Sequence, residues 1–405
     1  MKTRNKIKVC HVLTDSAVGG AGRAVAELIS ATDRERFALS VVLPCGSAVR
    51  GLLEGSGAEL IEAPYISDRS YDARAIPVLC GIFRRIKPDI VHTHSAFSAR
   101  IAARLCGVPA TVMTHHCAES VKKIPFGGML QRATATHAIA VSRGAAQALA
   151  ASGMPPEMIT VISNGSSPLR TAGENEIDAL RKRFGIPRNA FVAGIFGRLA
   201  PCKSHEVFVK AAALCRAKAP DMHFIVVGDG SEREKIKSLA EKAGLAGLLA
   251  GNMHFCGFCR DIAPYMALCA VNVNTTVNGE ASSLAIIEGM SIGIPPVMCD
   301  TPDNRRMTAG CGILTRPGSA WSTAEAIMKL YRDPDMRKKL SAAAQKRYRE
   351  RYTAKIFAER TADVYLRTIK RDLPRNNKTP ETNLNGIDRN TPHGCDFTLD
   401  NHSHQ

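Results

Sequence analysis

Apolar residues fall in short runs along most of this chain. The runs alternate with stretches in which apolar positions recur every three to four residues. Ile7–Leu13 is the first run. It gives way to Val18-Gly-Gly-Ala-Gly-Arg23, after which Ala24, Val25, Leu28 and Ile29 recur at helical spacing. Phe37–Leu43, Asp89–Thr93, Ala110–Thr114, His137–Val141 and Ile159–Ile162 follow as strand candidates, with helical stretches between most of them. Short apolar strands alternating with helices predict parallel strands covered on both faces, the pattern of a doubly wound α/β domain.

The pattern then restarts with Phe191–Phe196, His223–Val227, Val271–Asn274 and Pro296–Met298. The stretch between, about 166–188, reads as a linker running into a helix that stops at Gly185 and Pro187. Two Rossmann-like domains in tandem are therefore expected, at 1–168 and 169–353. After Trp321 the chain is helical, with a basic helix to about Tyr352 and another at 354–372. Residues 373–405 hold six Asn, three Pro and almost no apolar periodicity, and read as a disordered tail.

Composition narrows the function classes. The 405 residues carry 54 Lys+Arg against 37 Asp+Glu, a formal charge of +17 that points to an anionic partner. Residues 332–371 alone hold 13 basic and 5 acidic residues, which places nearly half of the excess on the last two helices. That concentration, with only 5% aromatics to stack on bases, argues against nucleic acid. No stretch approaches the ~20 apolar residues of a membrane span, and the basic N-terminus lacks the apolar core of a signal peptide. The 13 cysteines, odd in number and scattered, read as reduced thiols of a cytoplasmic protein. Cys256-Gly-Phe-Cys259 has no partner pair for zinc, and Asp333-Pro-Asp335 reads as a helix cap rather than a metal motif.

The chemistry is expected where open α/β sheets bind ligands, beyond the C-terminal strand ends. Gly197-Arg198, with Lys203 five residues on, makes a cationic clamp suited to phosphates. Gly228-Asp-Gly230 admits close backbone approach. Glu280 lies in a loop before a helix that contains Glu288, and the amides of Ala281–Leu284 would be that helix's unpaired donors.

Glu280-x7-Glu288 followed by Gly289-Met-Ser-Ile-Gly-Ile-Pro295 resembles the donor site of glycosyltransferase family 4, as does the order Gly197-Arg198…Lys203, then Gly228-Asp-Gly230, then the paired glutamates. In the first half, Gly19-Gly20-x-x-Arg23 resembles the family's first glycine loop. Val91-His-Thr-His94 and Thr114-His-His116 resemble its acceptor-side strands. Val141-Ser142 and Val161-Ile-Ser-Asn-Gly165 resemble the approach to its domain crossover.

The resemblance implies a GT-B fold: two Rossmann-like domains facing across a cleft, with a C-terminal helix crossing back to the first. It implies a retaining transferase that takes a nucleotide-diphosphate sugar as co-substrate and needs no further cofactor and no metal. Arg198 and Lys203 would hold the diphosphate, Glu288 the ribose hydroxyls and Glu280 the sugar hydroxyls. Gly19, Gly20, Gly197, Gly228, Ser282, Ser283 and Leu284 would line the donor. His116 would border the reacting sugar, with His115 as the alternative register. The acceptor would be a saccharide or lipid-linked saccharide of cell-surface polysaccharide or glycolipid assembly. The basic terminal helices would dock on an anionic membrane at the inner face.

Four places depart from the family pattern. Ser282-Ser283 stands where Phe-Gly is common, Pro302-Asp-Asn-Arg-Arg306 replaces Gly-Gly-x-x-Glu, Pro296 replaces a Val, and Trp321 lies where an Asp is common. Other GT-B enzymes (a phosphorylase or a sugar-nucleotide epimerase) and a non-catalytic nucleotide-binding protein are the competing readings.

Overall fold

A computed structural model describes residues 6–117, 127–246, 251–277 and 281–372. The expected disordered tail and Glu280 lie outside the described residues.

The first half is built from β1 (Ile7–Leu13), α1 (Gly20–Ala31), β2 (Phe37–Pro44), α2 (Arg50–Leu53), β3 (Glu59–Ala63), α3 (Ala75–Ile86), β4 (Ile90–His94), α4 (Phe97–Leu105), β5 (Ala110–His115), α5 (Gly127–Thr134), β6 (His137–Ala140), α6 (Arg143–Ala151) and β7 (Ile159–Val161). Its seven strands are parallel in the order β3-β2-β1-β4-β5-β6-β7. The second half begins with α7 (Glu174–Phe184), β8 (Val192–Phe196), α8 (His205–Arg216), β9 (His223–Val227), α9 (Arg233–Lys242) and β10 (Met253–Gly257). It continues through α10 (Ala263–Ala267), β11 (Val271–Asn274), α11 (Leu284–Ser291), β12 (Pro296–Cys299), α12 (Pro302–Thr308), β13 (Ile313–Thr315), α13 (Ala320–Arg332) and α14 (Pro334–Arg351). Its six strands are parallel in the order β10-β9-β8-β11-β12-β13. Both sheets have the doubly wound order, with strand order reversing beside β1 and β8. A crevice opens there beyond the strand ends.

The three strands that the sequence pattern missed, β3, β10 and β13, are all sheet edges. An edge strand is half solvated, so polar residues interrupt its apolar run. Glu59-Leu-Ile-Glu-Ala63 shows this directly. The expected punctuation is present. Gly185 ends α7 in the left-handed conformation, and the Asp333 carboxylate accepts from the Met336 amide at 2.8 Å to cap α14.

The chain crosses between the halves twice, side by side. The Ser166 amide donates to the Tyr352 carbonyl at 3.0 Å, and the Ala354 amide donates to the Ser166 carbonyl at 2.9 Å. Tyr348 also donates to the Ser166 carbonyl, at 2.8 Å. Beyond this knot α15 (Ala354–Asp372) lies on the first half. Phe357, Ala358, Ala362, Val364 and Tyr365 are buried with Val9, Leu13, Ile90 and Val112 of the first sheet. Each large side chain buried there contributes about 1.5–3 kcal/mol, so α15 is held as part of that core.

Candidate functional site

The loops after β8 and β9 are zipped together. Gly197 donates to the Val227 carbonyl (2.9 Å), Leu199 to the Asp229 carbonyl (3.0 Å), and Glu232 to the Leu199 carbonyl (2.9 Å). Gly228 and Gly230 have φ of +145° and +158°, and a Cβ on either would strike the backbone of Gly197 or Leu199. Only glycine fits. These two glycines let the two loops pack backbone on backbone. The packing presents Arg198 exposed and without an ion pair among the described residues. Lys203 is half-buried at the end of a single turn, Pro201–Lys203, whose carbonyls at Lys203 and Ser204 accept from the Thr275 hydroxyl at 3.0 Å. His205, buried at the start of α8, has neither ring nitrogen partnered; burial and the nearby Lys203 charge push it down to about 4. It stays neutral and adds no charge at pH 7.

The helix carrying Glu288 starts later than the sequence suggested. Ser283 is the N-cap of α11 and Leu284 its first residue. The uncapped amides thus begin at Leu284, and Ala281–Ser283 lie in the approach. The serine hydroxyls are engaged. Ser282 Oγ accepts from the Asn164 amide at 3.1 Å, and Ser283 Oγ accepts from Asn274 at 3.2 Å. Ser282 thereby ties the second half to the end of the first.

Glu288 is 3% exposed. One carboxylate oxygen accepts from Arg23, in the first turn of α1 across the crevice, and Oε2 is buried with no partner among the described residues. Burial outweighs the Arg23 attraction, and Glu27 adds repulsion, so its carboxyl is raised from 4.5 to about 7. A buried carboxylate oxygen without a donor is costly in a finished core and apt for a ligand that brings hydroxyl donors. Arg23 was visible in the sequence only as part of a motif.

Gly19 and Gly20 begin α1, Gly19 as an extended N-cap and Gly20 as the first helical residue, one turn before Arg23. A Cβ on either would meet nothing within 4 Å. Nothing inside the chain requires glycine at these two places, in contrast to Gly228.

The first half contributes histidines. His11 on β1 stands opposite His92 on β4, and His94 stands opposite Thr114 on β5. Side chains two apart share a sheet face, so His92, His94, Thr114 and His116 line up with His11 on the face that α15 covers. They are bonded in series. His116 Nε2 meets His94 Nδ1 at 3.0 Å, and His94 Nε2 meets His11 Nδ1 at 3.2 Å. His11 Nε2 meets the Tyr365 hydroxyl at 3.5 Å. That hydroxyl meets His92 Nδ1 at 2.6 Å, and His92 Nε2 meets the Thr114 hydroxyl at 2.7 Å. Burial pushes His11 down to about 3 and His116 to about 4, and lowers His92 and His94 as well, so all four are neutral at pH 7. His115, the last residue of β5, is half-buried and by alternation sits on the opposite face. His11, His92 and His94 offer ligand atoms within 4.8 Å of one another, yet all six of their nitrogens are hydrogen-bonded without a metal.

The departure at Pro302–Arg306 also has a structural use. It forms α12, and the Asp303 carboxylate accepts from the Arg143 and Gly144 amides at 3.1 Å, capping α6 of the other half. Asp303, Asn164 and Arg23 thus clasp the two halves. Sequence reading gave none of them a role, because each works through a neighbour about 120 or more residues away.

Two family models match in chain order: Glycosyltransferase Family 4 over residues 18–168 and Glycosyl transferases group 1 over residues 176–347. The chain is 27% identical over 319 residues to an Escherichia coli UDP-Gal:alpha-D-GlcNAc-diphosphoundecaprenol alpha-1,3-galactosyltransferase, covering 75% of this chain and 81% of the relative. It is 29% identical to the 2-deoxystreptamine glucosyltransferase of Streptomyces kanamyceticus, covering 66% and 74%. Among solved structures, Anabaena HepE in complex with UDP-glucose superposes with a TM-score of 0.76 at 22% identity, covering 89% of this chain and 100% of HepE. With two parallel doubly wound sheets, a helix returning to the first, and both models matched in order, the chain belongs to the family 4 and group 1 glycosyltransferases of GT-B fold.

Proposed function

We propose that this glycosyltransferase moves a hexose from a UDP-sugar to a saccharide or lipid-linked saccharide acceptor with retention of anomeric configuration. The observation that carries the reading is Glu288: a buried carboxylate at the crevice with one oxygen on Arg23 and the other bare. Ribose hydroxyls are donors of the kind that oxygen lacks. The UDP-sugar named for the Escherichia coli relative and the UDP-glucose complex of HepE support uridine as the nucleoside.

In this reading Arg198 and Lys203 face the diphosphate, with the uncapped start of α11 at Leu284. Gly19 and Gly20 leave room for phosphate oxygens at the start of α1. His116 borders the sugar from the first half, and Glu280 contacts its hydroxyls. As the bond from the anomeric carbon to the β-phosphate breaks, charge grows on the departing UDP. Fixed cations there stabilise the transition state more than the ground state. The acceptor oxygen bonds to the anomeric carbon, and its proton leaves with the diphosphate. These groups supply the positive charge that a divalent ion would otherwise bring, so we assign the reaction no metal and no cofactor beyond the co-substrate.

The acceptor side is read from charge. No helix among the described residues is long and apolar enough to cross a membrane. On α14, Lys338, Lys339, Lys346, Arg349 and Arg351 are exposed, whereas Arg347 is turned inward onto the Met307 carbonyl. Such a face suits reversible docking on anionic lipid at the cytoplasmic surface, at about 1 kcal/mol per nearby cation. Transfer of radiolabelled hexose from a panel of UDP- and GDP-sugars onto lipid-linked saccharides tests the activity. Product with inverted configuration, or none from any donor that binds, would overturn it.

A further inference from the structure

The histidine series has a property that its individual bonds do not. A neutral imidazole donates through one nitrogen and accepts through the other, and a tyrosine hydroxyl has one proton. With every bond made and the Tyr365 proton spent on one of its two imidazole neighbours, the series has two arrangements. If Tyr365 donates to His92 Nδ1, then His92 Nε2 donates to Thr114. The tyrosine oxygen then accepts from His11 Nε2, His11 Nδ1 from His94 Nε2, and His94 Nδ1 from His116 Nε2. His116 Nδ1 is left bare, and it is the buried nitrogen of that ring with no partner among the described residues. If every bond reverses, His116 Nδ1 carries a proton and becomes a donor.

The two arrangements are not equivalent. The shortest link is between the Tyr365 hydroxyl and His92 Nδ1, at 2.6 Å. A phenol is a far stronger acid than a neutral imidazole N–H, so the phenol donates there. Bonds in series polarise one another and pass that choice along. The nitrogen that is protonated on each ring is set by the bond its other nitrogen makes. The weakest joint is the 3.5 Å contact between Tyr365 and His11, which is where a fault in the order would sit. Protonation does not disturb the series at neutral pH, because burial holds all four rings neutral.

We propose that Tyr365, His92, His11 and His94 are positioning residues that fix His116 as the Nε2–H tautomer, so that Nδ1 presents a hydrogen-bond acceptor to a hydroxyl of the donor sugar. The use given to Nδ1 rests on the proposed place of His116 beside that sugar. The tautomer itself does not. Tyr365 belongs to α15, the helix that follows the crossing from the second half. The acceptor in the first half is therefore set by a group that is in place only when the two halves are joined and α15 is docked.

The test records long-range 1H–15N correlations of the imidazoles in the full 15N-labelled chain without donor, with His116 assigned by its loss in His116→Gln. The expected wild-type spectrum has His116 protonated at Nε2 and bare at Nδ1. Tyr365→Phe keeps the ring and removes only the hydroxyl; it should give a mixture of His116 tautomers and lower transfer about tenfold. Phe37→Leu, which disturbs a ring packed edge-on against Tyr365 at 5.8 Å, should leave the tautomer unchanged at comparable thermal stability. His116 protonated at Nδ1 in the wild type, the same spectrum in Tyr365→Phe, an equal change in Phe37→Leu, or an equivalent of zinc bound to the purified chain would each overturn the proposal. A His116→Ala chain that transfers at the wild-type rate would overturn the sugar contact and with it the use of the series. The donor-free spectrum tests the series alone.

Discussion

The two sheet edges that meet at the crevice are built from opposite chemistry. The second half presents loops and a helix: glycines without side chains, an exposed Arg198, a half-buried Lys203 and, on α11, a buried carboxylate with a bare oxygen. The first half presents neutral imidazoles bonded to one another: His11, His92 and His94 on strands at 0–2% exposure, and His116 just past the end of β5. One side is arranged to receive charge and the other to aim a neutral group. A transferase that separates a phosphate from a sugar needs both, since the charge develops at one end of the breaking bond only.

The largest effect should come from the charged side. Lys203→Ala should lower the transfer rate by roughly 10²–10³ with little change in thermal unfolding. An unchanged rate would remove Lys203 from leaving-group stabilisation and leave the comparison without its cationic half. Next is the contrast between glycines. Gly228→Ala forces a Cβ into the backbone of Gly197 at a φ of +145°, and should destabilise the chain by about 1–3 kcal/mol. Gly19→Ala meets only open space; its stability should stay within about 0.5 kcal/mol. Its UDP affinity should nevertheless drop if the donor phosphates approach there. Calorimetric unfolding and UDP titration on the two variants separate a glycine kept for packing from one kept for a ligand.

Glu288 predicts a pH dependence of definite sign. Its carboxyl is raised to about 7, and ribose hydroxyls bond best to the ionised form, so UDP affinity should rise as pH climbs through 7 and level off above. Stability runs the other way. Between about 4.5 and 7 the unfolded chain releases a proton that folded Glu288 keeps, so this group's contribution is full below that window and is lost across it. Glu288→Gln should flatten both profiles. The smallest effect is expected at the clasp. Asp303→Ala removes a carboxylate that caps α6 from the other half, and should cost about 0.5–2 kcal/mol of stability. It should also widen the solution scattering envelope; an unchanged envelope and melting temperature would mean the clasp holds nothing.

The same contrast explains what could be read from the sequence. The doubly wound halves were legible because buried parallel strands are continuous apolar runs, and they failed only at the solvated edges, β3, β10 and β13. Arg198, Lys203 and Glu288 stood out as candidates because their motifs keep a fixed spacing in the chain. The histidine series did not. His11 lies within the apolar run Ile7–Leu13, and Tyr365 within a terminal helix 354 residues away. Their relation exists only once β1 lies beside β4 and α15 has returned from the far domain. The α11 start lies later than expected: Ser283 is the N-cap, and the Ser282 and Ser283 hydroxyls serve Asn164 and Asn274.

The central claim is that the bare oxygen of Glu288 receives a nucleoside diphosphate. Isothermal titration of UDP into the full chain and into Glu288→Ala at pH 8 tests it most directly. The account predicts one site per chain in the wild type and an affinity about 10–100-fold weaker in the variant, the loss expected for hydrogen bonds to a charged group. Equal affinity in both, or no binding to the wild type, would contradict it.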